Sequence, residues 1–446
     1  MPISCWLPND KAQSLQKSMK RKELKPVLII TYYWPPSAGA GVQRWLKFAK
    51  YLPEMGWRPI IFTPENPQFD LKDESLLQDI PAEVDVLKFP IWEPYNLFKF
   101  FNRTQKIRQG QLLEEAKNSW GKKLWIAIRG NLFIPDPRVF WVKPASNFLV
   151  DMVKTNGIQH VITTGPPHSM HLIGRRLKMK VPTLRWLVDF RDPWTEWDIL
   201  HKMCIIPPIW KVHQRLEQNV LKMANQVVAT GPSASEAFQK LGARKCTFLT
   251  NGYDAGDEVL TERDESFMVS HVGMLSTDRN PEVLWEQLNA LAHSAIEFKL
   301  YLAGILSNDV LASIKEHKAL KEVTEVDGYL AHAEVMQTYR KSHLLLLMQT
   351  RENNTQLPGK LFEYLQAKRP ILCFGDPKSD VAEILRKTSS GKCFAYDDQE
   401  GIASFLKERY QDFKHNRQTF SFTGIEQYER KVLTQKLADL LDSMEN

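Results

Sequence analysis

The chain has 446 residues, 43% hydrophobic and 25% charged, which excludes disorder over its whole length and leaves room for two or three domains with cores of their own. Its net charge of +7, from 59 Lys and Arg against 52 Asp and Glu, is mildly basic and suits an anionic small molecule, a membrane surface or nucleic acid. Five cysteines (Cys5, Cys204, Cys246, Cys373, Cys393) with no Cys-x-x-Cys argue against a disulfide framework or a zinc site and for a reducing cytoplasm, no apolar run approaches the ~18–20 residues that span a bilayer, and the N-terminus does not read as a secretory signal.

Residues 1–25 read as a basic N-terminal tail, a solvated arm or a membrane-surface contact, in which Lys11, Lys17, Lys20, Arg21, Lys22 and Lys25 lack regular apolar partners. Order is expected to begin with Pro26–Thr31 (PVLIIT), an apolar run suited to a buried parallel strand. The loop YYWPPSAGAG follows. Val42, Trp45, Leu46, Ala49 and Leu52 then fall at helical spacing, Gly56 stops the helix, and Arg58–Thr63 is the next strand. The rhythm returns with a strand over Gly157–Thr163, a helix over Met170–Lys178, a strand over Thr183–Val188, and strands near Gln226–Thr230 and Cys246–Thr250. The charged stretch from 255 to 265 reads as a linker. In the second series the candidate strands are Phe267–Val272, Glu297–Leu302, Val323–Asp327, Leu344–Met348, Pro370–Cys373 and Lys392–Ala395, and Ile425–Leu441 reads as one amphipathic helix.

Strands alternating with helices predict parallel sheets covered on both faces. The expected class is α/β, with two Rossmann-like domains over 26–255 and 265–410 facing a central cleft and a helical segment over 411–446. Residues 95–145 interrupt the first domain. They carry Lys99, Arg103, Lys106, Arg108, Lys117, Lys122, Lys123, Arg129, Arg138 and Lys143 among aromatics such as Phe98, Phe101, Trp120 and Trp125. That pattern fits either a helical insertion packed on its own domain or a segment docking on anionic lipid. Nothing resembles a helix-turn-helix, zinc finger or RNA-stacking strand, so a nucleic-acid partner is not expected.

In such sheets ligands bind outside the carboxyl ends of the strands, so the loops after strands hold the candidate residues. The first loop holds Gly39, Ala40 and Gly41, either a tight turn or a loop whose N–H groups approach an anion at a helix N-terminus. It is not a dinucleotide fingerprint, because the second strand closes at Thr63-Pro64 without an acidic residue. The second (TGPPHS) carries His168, and the third (DFRDPW) carries Asp189, Arg191 and Asp192, which either pair with one another or face an acceptor. The richest is RENNTQLPGKLFEYL over 351–365. There a buried strand ends in a polar loop, Pro358-Gly359 open a helix, and Lys360 and Glu363 lie in its first turns. A lysine so placed can meet a diphosphate, and a carboxylate one turn on can accept both hydroxyls of a ribose.

Taken in order, YYWPPSAGAGVQRW, TGPPHS, DFRDPW, TNGYD, HVGMLSTDRNPEVL and LPGKLFEYLQAKRPIL resemble a family 4 glycosyltransferase of the GT-B fold, in a bacterial polysaccharide or glycolipid branch, over roughly residues 26–440. The resemblance implies that the C-terminal helix packs back on the first domain. It also implies transfer of a sugar from a nucleotide-diphosphate sugar, a co-substrate, to a glycan or lipid-linked acceptor with retention at the anomeric carbon. No metal and no resident cofactor are implied. By the same resemblance Glu363 would bind the ribose and Arg279 the diphosphate, with Lys360 beside it. Gly273, Asn354, Thr355, Gly359 and Leu361 would complete the donor site. Gly39 and Gly41 would lie near donor phosphate and acceptor, and His168 near the donor sugar. Two positions depart from the family pattern: Thr355 stands where a second glutamate is common, and Met274 follows Gly273 where arginine is common. The competing expectations are a nucleotide-sugar 2-epimerase of the same fold and a non-catalytic partner in a glycan assembly complex.

Overall fold

Two parallel sheets, each formed by apolar runs too short for helices, organise the computed structural model of the chain, which describes residues 24–69, 71–94, 120–196, 198–256, 263–294, 297–351 and 356–445. The chain divides into two compact units, one of residues up to Thr250 with Leu433 onward, the other of Asn251–Val432.

The first unit contains β1 (Lys25–Ile30), α1 (Ala40–Tyr51), β2 (Trp57–Pro64), β3 (Asp85–Phe89), α2 (Trp120–Leu132), α3 (Val139–Thr155), β4 (His160–Gly165), α4 (Ser169–Lys180), β5 (Arg185–Phe190), α5 (Asp198–His201), α6 (Pro207–Met223), β6 (Gln226–Ala229), α7 (Pro232–Lys240) and β7 (Cys246–Phe248). All its strands run parallel in the order β3-β2-β1-β4-β5-β6-β7. The second contains β8 (Phe267–Val272), α8 (Glu282–Ser294), β9 (Phe298–Ala303), α9 (Asn308–Glu316), α10 (Lys318–Glu322), β10 (Thr324–Asp327), α11 (His332–Lys341), β11 (Leu344–Met348), α12 (Gly359–Ala367), β12 (Ile371–Phe374), α13 (Asp380–Thr388), β13 (Gly391–Phe394) and α14 (Gln399–Lys414), in the order β10-β9-β8-β11-β12-β13. In each sheet the order reverses beside the first strand, between β1 and β4 and between β8 and β11. A parallel doubly wound sheet opens a crevice at that point.

The central strands β1 and β11 are buried on both faces, as their unbroken apolar runs predict. Helix α15 (Arg430–Ser443) closes the first unit: Leu433, Leu437, Ala438 and Leu441 pack in one core with Val27, Ile29, Trp45 and Leu46. Among the described residues no helix is long and apolar enough to cross a membrane.

The structure corrects four readings. Residues 251–255 belong with the second unit, because Tyr253 bridges to Glu429 and Asp254 pairs with Arg430 at 3.0 Å. The segment 411–446 is not one module, since its part up to Val432 packs in the second unit. Ile425–Leu441 is not one helix: a 3-10 turn over Ile425–Tyr428 precedes α15. The insertion ends before 145, since α3 buries Trp141, Val142, Ala145 and Leu149 in the main core, and Arg138 is an interior cation, 3.1 Å from buried Glu93 and over the Tyr32 ring. The tail before Leu24 and residues 95–119 lie outside the described residues.

Four buried histidines carry a prediction. Burial holds His160 and His343 down to about 4 and His171 and His271 down to about 3. The unfolded chain takes up these protons near pH 6.5, so the stability the neutral rings protect at pH 7 is lost progressively as pH falls from about 6.5 towards 3. Buried Glu217, raised to about 7, and Asp192 and Glu363, raised by burial as well, contribute slopes of opposite sign, while His168 and His213, likewise lowered by burial, add to the histidine side. The urea midpoint is expected to fall between pH 7 and pH 4.5, and His171→Asn to flatten that fall. A midpoint constant over this range would contradict neutral burial.

Candidate functional site

In the second unit the candidate residues converge at the carboxyl ends of β8 and β11. Strand β8 ends at Gly273, whose φ of +136° suits glycine, and a Cβ there would overlap the Lys360 Nζ. The bare glycine therefore gives Lys360 its place over the backbone. Gly304, after β9, also makes a close approach, since a Cβ on it would be 2.6 Å from the Gly273 carbonyl oxygen. Gly273→Ala is expected to displace Lys360 and weaken anion binding at this point more than it lowers the melting temperature.

Lys360 lies in the first turn of α12, whose cap residue Pro358 offers no side-chain hydrogen bond and whose first turn has no acidic residue. A cation at the positive end of a helix dipole is unfavourable by itself. Burial, with Arg279 adding like charge, brings the Lys360 ammonium down to about 8 against the opposing pull of Glu363. Arg279 closes the 3-10 turn Thr277–Arg279, and its Nε is buried without a hydrogen-bond partner among the described residues. Arg351, after β11, lies 4.0 Å over the Tyr396 ring and donates to the Asn280 carbonyl at 3.1 Å. Lys360 and Arg279 beside this helix N-terminus make it a candidate anion site.

One turn along α12, burial raises the Glu363 carboxyl against the pull of His332, Arg430 and Lys360. Leu361 is turned into the core and contributes packing, and Gly359 begins the helix. Asn354 and Thr355 lie outside the described residues. His271, His332 and Arg430 escaped the sequence reading. His271 donates from Nδ1 to the Leu346 carbonyl at 3.0 Å and is kept neutral first by burial and then by Lys360.

In the first unit, Gly39 precedes α1 at φ +98°, and no side chain caps that helix. Gly41 answers a different need from the one expected: a Cβ there would stand 2.5 Å from Arg191 Nη1, which donates to the Gly41 carbonyl at 2.8 Å. Ala40 is the first residue of α1. Arg191 also donates to the Pro166 carbonyl and lies 5.6 Å over the Tyr33 ring, so it knits the glycine loop to the loop after β4. Asp189 departs from both expectations, neither pairing with Arg191 nor facing outward. It is 1% exposed and accepts from Arg44 Nη2 (2.8 Å), Trp45 Nε1 (2.7 Å) and Thr164 Oγ1 (2.8 Å). Asp192 is raised, chiefly by burial.

His168 precedes α4 and stacks on Trp194, 4.9 Å between ring centres and 3° from parallel. Burial, with His171 and Arg191 nearby, holds it neutral, well below the usual histidine range. Trp194 is fixed from α6, its Nε1 donating to His213 Nδ1 at 3.1 Å, while Glu217 accepts the Thr195 hydroxyl at 2.5 Å. Trp186 donates to the Thr163 oxygen at 2.9 Å, and the same hydroxyl is hydrogen-bonded to His171 Nδ1, 3.0 Å away. The N-terminus of α4 is already neutralised: Asp136 accepts from the Ser169 N–H at 2.8 Å. That of α1 is not. Among the described residues no group of three or more His, Cys, Asp and Glu could hold a metal ion.

No protein-family model matches the chain, and no curated protein matches it in sequence. Solved structures do match. A glycosyltransferase from Rickettsia africae superposes with a TM-score of 0.62 at 12% identity, covering 95% of this chain and 99% of its own. Sucrose-phosphate synthase from Thermosynechococcus elongatus gives 0.60 at 12%, covering 94% and 99%. HepE from Anabaena in complex with UDP-glucose gives 0.57 at 14%, covering 94% and 99%. The fold is GT-B. At these identities the likeness concerns the arrangement of the chain, and the residues must carry the chemistry. The two doubly wound sheets are those of GT-B, and both candidate clusters lie where that architecture opens its crevices.

Proposed function

We propose that the chain is a retaining, metal-independent glycosyltransferase that moves a sugar from a nucleoside-diphosphate sugar to a glycan or lipid-linked acceptor. The observation that carries this reading is the pairing of Lys360 over Gly273 with Arg279, whose Nε has no partner among the described residues, at an N-terminus of α12 that no described carboxylate caps. Breaking the sugar–phosphate bond leaves a nucleoside diphosphate that gains charge. Lys360, Arg279 and the first N–H groups of α12 would stabilise that charge more than they stabilise the ground state. Glu363 would accept the ribose hydroxyls. Retention without an evident nucleophile fits attack on the face that the leaving group vacates, with its phosphate taking the acceptor proton. The UDP-glucose named in the HepE structure supports the donor class.

Incubation with nucleotide sugars, with and without candidate acceptors, tests the reading. A transferase releases nucleoside diphosphate only with acceptor, a 2-epimerase gives a new nucleotide sugar without one, and a non-catalytic partner does neither.

The proposal includes peripheral attachment to the inner face of a membrane in the cytoplasm. Trp92 and Phe140 are 56% and 47% exposed and meet edge to face at 4.9 Å, with Phe133 beside Phe140 at 6.0 Å. Exposed rings next to a basic segment suit a headgroup boundary. Co-sedimentation with anionic vesicles, reversed by salt and weakened in Trp92→Ala/Phe140→Ala and on neutralising Lys122, Lys123 and Arg129, is expected. Equal binding to neutral vesicles would contradict it.

A further inference from the structure

Two of the described cysteines meet in the second sheet. Cys373 in β12 and Cys393 in β13 are register partners in a parallel pair, with Leu372 beside Lys392 and Phe374 beside Phe394. Register partners face the same side of a sheet, and here they share one core: Cys373 belongs to the cluster of Leu345, Leu347 and Tyr364, and Cys393 packs against it. Neighbouring strands run about 4.8 Å apart, inside the roughly 4.4–6.8 Å between Cα atoms that a disulfide spans. β13 also starts close to β12, since a Cβ on Gly391 would overlap the Ile371 carbonyl oxygen. By contrast, Cys204 is exposed on the first unit, and Cys246 accepts the Ser235 hydroxyl at 3.3 Å.

The two thiols differ in access. Cys373 is 0% exposed, and its Sγ lies 3.8 Å from both Gln349 Oε1 and the Phe374 carbonyl oxygen. Burial pushes its thiol well up, and the Cys393 thiol beside it adds to the rise through a hydrogen bond and through its charge. Cys373 therefore stays protonated. Cys393 is partly exposed, on the last strand of the sheet, with its Sγ 3.7 Å from the Asp376 carbonyl oxygen. One thiol is open to a small oxidant, and the other is shut away beside it. That is the arrangement of a reacting thiol with a resolving thiol.

We propose that Cys373 and Cys393 form an oxidation site that takes a small hydroperoxide and closes to a disulfide. Cys393 Sγ attacks a peroxide oxygen: the S–O bond forms, the O–O bond breaks, and water or an alcohol leaves, so that Cys393 becomes a sulfenic acid. Cys373 Sγ then attacks the Cys393 sulfur: the S–S bond forms, the S–O bond breaks, and the hydroxyl leaves as water with the Cys373 proton. The two thiols give up two electrons in all, and the peroxide takes the same two. The second step joins neighbours in one sheet, which offsets the low thiolate fraction of Cys373. In a reducing compartment such a bridge is transient and follows the oxidant. The inference does not depend on the donor-site reading.

Peroxide treatment of the folded protein tests it. Wild type, Cys373→Ser and Cys393→Ser are exposed to hydrogen peroxide, then denatured in iodoacetamide, and their peptides are read by mass spectrometry. Wild type is expected to give a Cys373–Cys393 linked peptide pair that dithiothreitol separates. In Cys373→Ser, Cys393 should run on to the sulfinic acid, because no resolving thiol intercepts the sulfenic acid. In Cys393→Ser, Cys373 should remain a thiol. The wild-type result stands whatever the substitutions do to stability. Wild type in which both residues are alkylated, in which Cys393 reaches the sulfinic acid as readily as in Cys373→Ser, or in which Cys393 is bridged to another cysteine overturns the proposal.

Discussion

Asp189→Ala is expected to destabilise the first unit by about 3–5 kcal/mol, the range for leaving one member of a buried ion pair without its partner. The motivation is the density of its contacts. The carboxylate takes Arg44 through Nη2 at 2.8 Å and Nε at 3.2 Å, with Trp45 and Thr164 on its other oxygen. Arg44 in turn donates to the carbonyls of Leu249 and Thr250, each at 2.9 Å, so one side-chain pair fastens α1, β4, β5 and the end of the first unit together. Asp189→Asn keeps the shape and part of the hydrogen bonding, and should cost less than Asp189→Ala. Arg44→Met should match Asp189→Ala, and the double variant Arg44→Met/Asp189→Leu should recover part of the loss, because no charge is then left alone in the interior. Urea denaturation of the four variants measures this. An Asp189→Ala protein as stable as wild type but unable to bind an acceptor would instead return Asp189 to the substrate-facing role suggested by its sequence motif.

That reversal marks the limit of what the sequence makes legible. Runs such as PVLIIT and LLLLM announce buried parallel strands because a strand covered on both faces has no polar side to show, and both became the first or central strands of their sheets. The second candidate cluster was legible for a related reason. Strand, loop, Pro-Gly and helix follow one another in contiguous chain, so Lys360 and Glu363 could be placed by counting turns from the helix start. The first cluster depends on pairing across long stretches of chain. Arg44 stands 145 positions from Asp189, and nothing near either residue announces the other. Gly41 looks like a phosphate-loop glycine until the Arg191 guanidinium is found in the space a side chain would fill. Strand β3 was missed because only Leu87 and Phe89 face inward, and its alternation spans too few residues to stand out. Helix α3 carries Pro144 inside it, a residue that normally argues for an ending. His271, His332 and Arg430 lie on three separate elements, and only folding brings the charges of His332 and Arg430 to bear on Glu363 and that of Lys360 to bear on His271.

Lys360 and Glu363 give the largest expected effect on binding. With its ammonium held near 8 by burial and by Arg279, Lys360 is partly deprotonated at pH 8 in the free protein. A diphosphate beside it favours the charged form, so the nucleoside diphosphate should bind together with a fraction of a proton at that pH. The uptake appears in calorimetry as a binding enthalpy that varies with the ionisation enthalpy of the buffer. Lys360→Met should abolish the buffer dependence and weaken binding by about a hundredfold or more, since a charge-assisted hydrogen bond is worth roughly 1.5–3 kcal/mol before the lost Coulomb attraction is added. Glu363→Gln should lower nucleotide affinity by about ten- to a hundredfold on the same scale while leaving the proton uptake in place, because it removes the ribose acceptor and not the titrating amine. The pair separates two roles that a single affinity cannot. If Glu363→Gln binds nucleotide like wild type while Lys360→Met does not, the site holds an anion but reads no ribose, and the nucleotide-sugar assignment fails. If both variants bind like wild type, the charge gathered over Gly273 serves the fold alone.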